Sequence, residues 1–141
     1  MANNMKIDMK RKILAIDSEV HMLRLLEQVI EEGSSYRIKT THNALEVPEI
    51  LSREAFSIII TEIEMPGFSG MDILKKIYDE QREEEVIILT AFASLEYTLE
   101  AFKYGACDFI SKPVEKERLL SAVKRAMKRY EDKLLAQFID N

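Results

Sequence analysis

Short apolar runs alternate along the chain with longer segments in which apolar residues recur every three or four positions. The runs cover residues 13–16, 56–60, 86–89 and 107–110, and a weaker alternation covers 36–40. Helical periodicity follows each run, over residues 20–30, 44–53, 71–78, 94–104 and from 114 onward. The pattern predicts five strands, each followed by a helix.

The strands are apolar at nearly every position, which is typical of a parallel sheet with both faces covered. Strands that alternate with helices of this length predict a doubly wound α/β fold with a five-stranded parallel sheet. Ser18 is a predicted N-cap of the first helix, and Gly33 is its predicted end. Pro48 makes the start of the second helix uncertain, because an interior proline removes a hydrogen bond.

Polar residues follow the strands of this predicted sheet. In such folds ligands bind at the carboxyl ends of the strands, near the point where the strand order reverses. The residues that follow the strands and carry the candidate chemistry are Asp17, Ser18, Glu19, Glu62, Glu64, Thr90, Lys112 and Pro113. Carboxylates, a hydroxyl group and a lysine are therefore expected to converge on one edge of the sheet.

Four segments carry a resemblance to a known family. They read KILAIDSE (12–19), IIITEIEMPGFSG (58–70), VIILTAFAS (86–94) and GACDFISKP (105–113). In this order they resemble the receiver domain of two-component response regulators. The resemblance implies a flavodoxin-like (βα)5 receiver fold and a signalling module rather than an enzyme. It also implies phosphoryl transfer from a histidine kinase to an aspartate, assisted by Mg²⁺.

The resemblance assigns a role to each of several positions. Lys112 corresponds to the lysine that neutralises the phosphoryl group, and Thr90 corresponds to the switch hydroxyl. Phe109 stands where the family has an aromatic rotamer switch. The bond between Lys112 and Pro113 is expected to be cis.

Two positions depart from the family pattern. Glu62 stands where the phosphate-accepting aspartate is expected, and its side chain is longer by one C–C bond, about 1.5 Å. Ser18 replaces the second residue of the usual acidic pair, so that only Asp17 remains. Mg²⁺ prefers carboxylate oxygens, and this loss weakens the metal site that Asp17, Glu62 and the backbone carbonyl of Glu64 are implied to form. Glu19 and the side chain of Glu64 are the acidic groups left to restore charge.

The interpretation we favour is an atypical receiver that works without phosphorylation, by conformational bias or by dimerisation through the last strand and helix. Whether Glu62 mimics the phosphorylated state or the domain is a signal-independent docking module is left open. One alternative is a working receiver that takes phosphate with Mg²⁺ despite both substitutions. Another, from a different class, is a flavodoxin-like nucleotide or electron carrier. No glycine-rich loop follows the first strand, and its acidic residues would repel phosphate, which disfavours this alternative.

Composition indicates the number of domains, the cellular compartment and the kinds of partner to expect. A length of 141 residues with one Cys is typical of a single domain in a reducing compartment, and no apolar run approaches the ~20 residues that cross a bilayer. A cytoplasmic protein that does not bind membranes is therefore expected. The net charge of −5 argues against direct nucleic-acid binding. A histidine kinase or another signalling protein is the expected partner.

The last segment has its own pattern. Residues 116–141 carry 7 basic and 4 acidic side chains, a balance of +3, against −8 for the rest. Apolar positions Leu120, Val123, Met127, Tyr130 and Leu134 form a short heptad seam. The predicted division is an N-terminal extension (1–11), the receiver (12–128) and an extension of the last helix (129–141). That last part is interpreted as a coiled coil of a homodimer or as a linker to an output domain missing from this chain.

Overall fold

Residues 11–140 are described by the computed structural model, and they form five strands and five helices. The strands are β1 (Lys12–Ile16), β2 (Arg37–Thr41), β3 (Ile58–Glu62), β4 (Glu85–Thr90) and β5 (Asp108–Ser111). The helices are α1 (Val20–Gly33), α2 (Val47–Arg53), α3 (Gly70–Asp79), α4 (Leu95–Lys103) and α5 (Lys116–Asp140).

The strands form one parallel sheet in the order β2-β1-β3-β4-β5. Helices α1 and α5 cover one face of it, while α2, α3 and α4 cover the other. Every residue of β3 and β4 is buried, as expected for central strands covered on both sides. The edge strand β2 alternates between exposed and partly buried positions before it ends at the buried Thr41. The predicted α/β fold with a five-stranded parallel sheet is confirmed.

Three local predictions differ from the structure. Strand β3 spans Ile58–Glu62 rather than the predicted residues 56–60, and Glu62 is therefore the last residue of the strand and not part of the following loop. The N-cap of α1 is Glu19, which makes no side-chain capping bond, so the prediction for Ser18 is wrong. The second helical segment starts as a 3₁₀ turn (Ala44–Glu46) and becomes α-helical at Val47, which puts Pro48 in the first turn, where a missing N–H costs nothing.

Helix α5 is continuous through residue 128, the boundary predicted between receiver and extension. Val123, Met127 and Tyr130 are buried in the same core cluster as the strands, and Leu120 and Leu134 pack against it. The heptad seam is therefore the face by which α5 packs on its own sheet. The role predicted for residues 129–141 stays a prediction, and it now rests on the exposed residues Leu135, Phe138 and Ile139.

Gly70, the first residue of α3, fixes the backbone beneath the carboxyl end of β3. Its amide donates to the carbonyl oxygen of Ile63 at 2.8 Å. A Cβ atom placed on Gly70 would lie 2.1 Å from the carbonyl oxygen of Glu62, closer than any real contact. Ser69 caps the helix in a reciprocal capping box with Asp72. The chain thus returns tightly past the end of β3, and only glycine fits at that point.

Within residues 11–140, no helix is both long enough and apolar enough to span a membrane.

Candidate functional site

Parallel strands place four of the predicted site residues at one edge of the sheet. Asp17 directly follows β1, Glu62 and Thr90 end β3 and β4, and Lys112 directly follows β5. β1 and β3 are neighbours, although β2 and its helix separate them in the sequence, so this edge includes the point where the strand order reverses.

Lys112 joins the ends of three strands. Its Nζ lies 2.8 Å from Asp17 Oδ2 and 2.8 Å from Glu62 Oε1. Glu19 is more distant, at 3.5 Å, and its side chain is 70% exposed, against 2% and 8% for Asp17 and Glu62. We call these four residues, Asp17, Glu19, Glu62 and Lys112, the lysine cluster. One cation faces three carboxylates there, two of them buried.

Backbone amides hold the remaining oxygens of both buried carboxylates. Asp17 Oδ1 accepts a hydrogen bond from the amide of Glu19 at 2.9 Å. Glu62 Oε2 accepts from the amides of Ile63 at 2.7 Å and Glu64 at 3.3 Å. The longer side chain of Glu62 lets its carboxylate bend back onto its own loop and still reach Lys112. Sequence reasoning did not anticipate this closure, since it depends on the path of the loop.

The carboxylate partners of Lys112 favour its charged, protonated form. Burial disfavours the ammonium form, but hydrogen bonds to Asp17 and Glu62 outweigh this and raise the pKa of Lys112 above its ordinary value. The side chain is 10% exposed. Lys112 is therefore a positive charge fixed between two strand ends. The Lys112–Pro113 peptide bond that follows it is cis, as the resemblance implied.

Ser18 and Glu64 lie outside the lysine cluster. Both are exposed, Ser18 beside a groove of about 370 Å³ that His42 and Leu45 also line. Glu64 borders a second groove, of about 470 Å³, next to Tyr97 of α4. Within residues 11–140, no group of three or more histidine, cysteine or acidic side chains is arranged to hold a metal ion.

Thr90 and Phe109 lie on the same side of the sheet. Ile88 pairs with Phe109 across β4 and β5, and residues two apart on a strand face the same way, so Thr90 shares that face. Thr90 is fully buried, and its Oγ1 accepts a hydrogen bond from the amide of Phe92 at 3.0 Å. Phe109 is half-buried against the core beneath α3 and α4. Thr90 thus links the sheet edge to the loop that precedes α4.

An exposed apolar surface on α4 was missed by the sequence reasoning. Leu95, Leu99 and Phe102 recur at helical spacing, and with Phe92 just before the helix they are between 49% and 75% exposed. We call these four residues the α4 stripe. Their spacing was visible in the sequence, but an apolar helical face is ordinarily buried, and only the structure shows that Ala101 makes the buried contact instead.

The family profile for the response regulator receiver domain matches residues 13–124. This chain is a response regulator receiver domain. Receiver domains are signalling modules of two-component systems; they interact with histidine kinases and typically use Mg²⁺ at the phosphorylation site.

Curated relatives and solved structures agree with this assignment. The chain is 32% identical over 119 residues to the response regulator protein PilR of Pseudomonas aeruginosa, an alignment that covers 84% of this chain and 26% of PilR. A receiver domain protein from Clostridium thermocellum is 34% identical, with a TM-score of 0.77 over 88% of this chain and 98% of that one. The beryllofluoride-activated NtrC4 receiver domain dimer has a TM-score of 0.79 at 27% identity, over 85% and 98%. The chain spans about a quarter to a half of the first curated relatives.

Proposed function

We propose that this receiver domain works in cytoplasmic two-component signalling without being phosphorylated. The observation that carries the proposal is the closure of Glu62, whose two carboxylate oxygens are bound by Lys112 and by two backbone amides. In-line attack on a phosphodonor needs a free, correctly placed oxygen, and a displacement of about 1 Å costs on the order of 100-fold in rate. Each oxygen of Glu62 is held in place by donors of the chain itself, which opposes such an attack.

The surrounding charges support the same conclusion. Phosphoryl transfer spreads negative charge over the equatorial oxygens of the transferred group, and nearby cations must neutralise it. Here the single lysine is already engaged by Asp17 and Glu62. Ser18 brings a neutral hydroxyl group where a carboxylate would attract a metal ion. Lys112 is already paired with both buried carboxylates, so it is not free to neutralise an incoming phosphoryl group.

The test is incubation of the full chain with acetyl phosphate and Mg²⁺, followed by intact mass measurement. The expected result is no gain in mass. The control is the double variant Glu62→Asp, Ser18→Asp, which restores a short acceptor and the second carboxylate, and which is expected to gain one phosphoryl group. A phosphoryl group on the wild-type chain would contradict the proposal.

A specific observation favours one form of the alternative, a working phospho-receiver. Glu19 is 70% exposed and lies 3.5 Å from Lys112, so it is the carboxylate of the lysine cluster that a phosphodonor reaches first. Peptide mapping of any phosphorylated product separates the two cases. Phosphate on Glu19 or Glu62 would support the alternative, whereas an unmodified chain supports phosphorylation independence.

We further propose that the output is self-association through the α4 stripe. Leu95, Leu99 and Phe102 share one face of α4 beside Phe92, and contiguous exposed apolar patches mark interfaces. Phe92 belongs to the stripe and is hydrogen-bonded to Thr90, so the stripe adjoins the site edge. A second copy is the proposed occupant, in line with the dimer described for the NtrC4 receiver domain.

Size-exclusion chromatography with light scattering tests the self-association. The wild-type chain is expected to be a dimer with or without acetyl phosphate and Mg²⁺, and Leu95→Glu with Leu99→Glu is expected to make it a monomer. The matched control is Leu135→Glu with Ile139→Glu, which changes two exposed apolar residues at the end of α5. A dimer that only the control pair dissociates would instead assign the interface to the last helix.

A further inference from the structure

The lysine cluster has no free oxygen on its two buried carboxylates. Asp17 Oδ2 and Glu62 Oε1 each lie 2.8 Å from the Lys112 ammonium group. Asp17 Oδ1 and Glu62 Oε2 accept hydrogen bonds from backbone amides between 2.7 and 3.3 Å away. All four oxygens are therefore engaged by donors that belong to the chain itself.

We propose that the Lys112 ammonium is the resident cation of this pocket and that the pocket does not bind Mg²⁺. The inference deepens the proposed function and rests on it in part, because a receiver that is not phosphorylated needs no metal to neutralise a phosphoryl group. Its own support is the donor set, which does not fit the metal typical of receiver domains.

The chemistry of Mg²⁺ makes the conflict specific. The ion requires six oxygen ligands at about 2.0–2.1 Å in octahedral geometry, and it is usually held by one or two carboxylates and several waters. To bind here it would have to displace the ammonium group from Asp17 and Glu62 or share those oxygens with it. Sharing places a double positive charge beside the ammonium in a pocket where water is largely excluded and repulsion is strong. Ser18 has a neutral hydroxyl group and supplies no negative charge to offset this repulsion.

An ammonium group suits the pocket better than a metal ion does. It carries three N–H donors, and two of the contacts at Lys112 have ordinary hydrogen-bond length. It is attached to the chain immediately after β5, so it needs no dissolved ion to occupy the site. Glu19 is the third carboxylate of the lysine cluster, beyond the two that Lys112 contacts at 2.8 Å. Because Glu19 is exposed, diffuse ions in water screen its charge without a bound metal.

Mn²⁺ serves as the probe, because its paramagnetism allows free and bound ions to be counted. The full wild-type chain is titrated with Mn²⁺ and followed by electron paramagnetic resonance, and its melting temperature is compared in EDTA and in millimolar MgCl₂. The expected result is no bound Mn²⁺ and the same melting temperature in both solutions. One Mn²⁺ bound per wild-type chain, or a melting temperature raised by MgCl₂, would overturn the inference.

Lys112→Ala tests the resident cation directly. Removal of the ammonium leaves Asp17 and Glu62 facing each other without a counter-ion, so this variant is expected to bind one Mn²⁺ per chain under conditions in which the wild type binds none. MgCl₂ is expected to raise its melting temperature. A folded Lys112→Ala chain that still ignores both ions would contradict the role of Lys112. Should it not fold at all, the wild-type titration still decides whether the pocket binds metal.

A matched control sits at the opposite edge of the sheet. Lys133 lies 2.7 Å from buried Glu85, which Arg129 also contacts at 3.3 Å. Lys133→Ala therefore removes a lysine from a buried carboxylate that keeps a second cation, and it is expected to leave the response to Mn²⁺ unchanged. The failures are distinguishable: a wild-type chain that binds Mn²⁺ but gains no phosphoryl group overturns this inference alone, whereas a phosphorylated one overturns the proposed function.

Discussion

Buried charge lies at both edges of the sheet, and the two edges handle it differently. At the amino edge, Arg82 pairs with buried Glu84 at 2.8 Å, while Arg129 and Lys133 of α5 pair with buried Glu85. We call these five residues the arginine cluster. It has three cations for two buried carboxylates, whereas the lysine cluster has one cation for three carboxylates. Glu85 keeps one cation when either Arg129 or Lys133 is removed, whereas Asp17 and Glu62 share the one cation Lys112.

The arginine cluster also ties together elements that are distant in the sequence. Arg82 donates to the carbonyl oxygens of Leu51 at 2.9 Å and Glu54 at 3.2 Å, and Glu84 accepts from the amide of Phe56 at 3.0 Å. The planar guanidinium group satisfies several acceptors in fixed directions, as a lysine cannot. Its role is to hold the α2–β3 connection against the start of β4. Of the two clusters, the lysine cluster is the one in which carboxylates outnumber cations, and it lies at the edge that carries the predicted site residues.

The largest expected effect comes from removing the one cation of the lysine cluster. Lys112→Met leaves two buried carboxylates unpaired and is expected to lower the free energy of unfolding by about 3–5 kcal/mol. Lys133→Met, whose side chain is 38% exposed and whose partner keeps Arg129, is expected to cost less than about 1 kcal/mol. Urea unfolding followed by circular dichroism measures both. Equal losses would abolish the distinction between the clusters.

The next largest effect is expected for Arg82, the cation that pairs with buried Glu84. Arg82→Met leaves Glu84 buried without its cation and is expected to lower the free energy of unfolding by about 2–3 kcal/mol. Arg82→Met with Glu84→Gln removes the orphaned charge and keeps an acceptor for the Phe56 amide, so part of the loss is expected to return. The double variant is measured in the same urea experiment. No recovery would mean that Arg82 acts through the two carbonyl oxygens rather than through the ion pair.

Alkaline pH is expected to weaken the contacts of Lys112 but not the Arg82–Glu84 pair, and to change the free energy of unfolding by less than the substitutions above. The pKa of Lys112 is raised in the folded protein by its carboxylate partners, so its stabilising contribution is fully present below the unfolded lysine pKa of about 10.4. That contribution is lost as the pH rises through the higher folded value, at no more than about 1.4 kcal/mol per pH unit for one proton.

Arginine stays charged throughout this range, so the Arg82–Glu84 pair is expected to persist. The measurement is urea unfolding of wild type and Lys112→Met at a series of pH values above 9. Other lysines also titrate there, and the difference between the two chains isolates Lys112. A constant difference across the series would contradict the prediction.

The smallest expected effect belongs to the exposed member of the lysine cluster. Glu19→Gln removes a carboxylate that lies 3.5 Å from Lys112 and is mostly in water, so it is expected to change the free energy of unfolding by less than about 0.5 kcal/mol. The change is expected to shrink further in high salt. A loss comparable to that of Lys112→Met would show that Glu19 is a full member of the buried network.

The order of elements and the edge that carries the site could be predicted from the sequence, because apolar periodicity reports burial directly. The end of β3 could not, since Thr61 and Glu62 are polar and read as loop residues. Glu62 is tolerated inside because Lys112, fifty residues later, supplies its counter-charge and two backbone amides bind its other oxygen. The seam of α5 was ambiguous for another reason: packing on a sheet and pairing in a coiled coil both require apolar residues three and four apart. The arginine cluster was not predicted, because the pairing of Glu85 with Arg129 and Lys133 depends on how α5 packs against β4.

The close approach of Gly70 to β3 has a consequence for engineering. The contact is made with the backbone carbonyl of Glu62, and the hydrogen bond from Gly70 goes to the backbone of Ile63. Neither contact involves the side chain at position 62, so both are independent of which residue stands there, whereas the hydrogen bonds from the amides of Ile63 and Glu64 depend on the Glu62 carboxylate. Aspartate, glutamate or an amide can therefore be compared at position 62 with the two Gly70 contacts unchanged, so that differences between the variants report the hydrogen bonds and charge of the side chain.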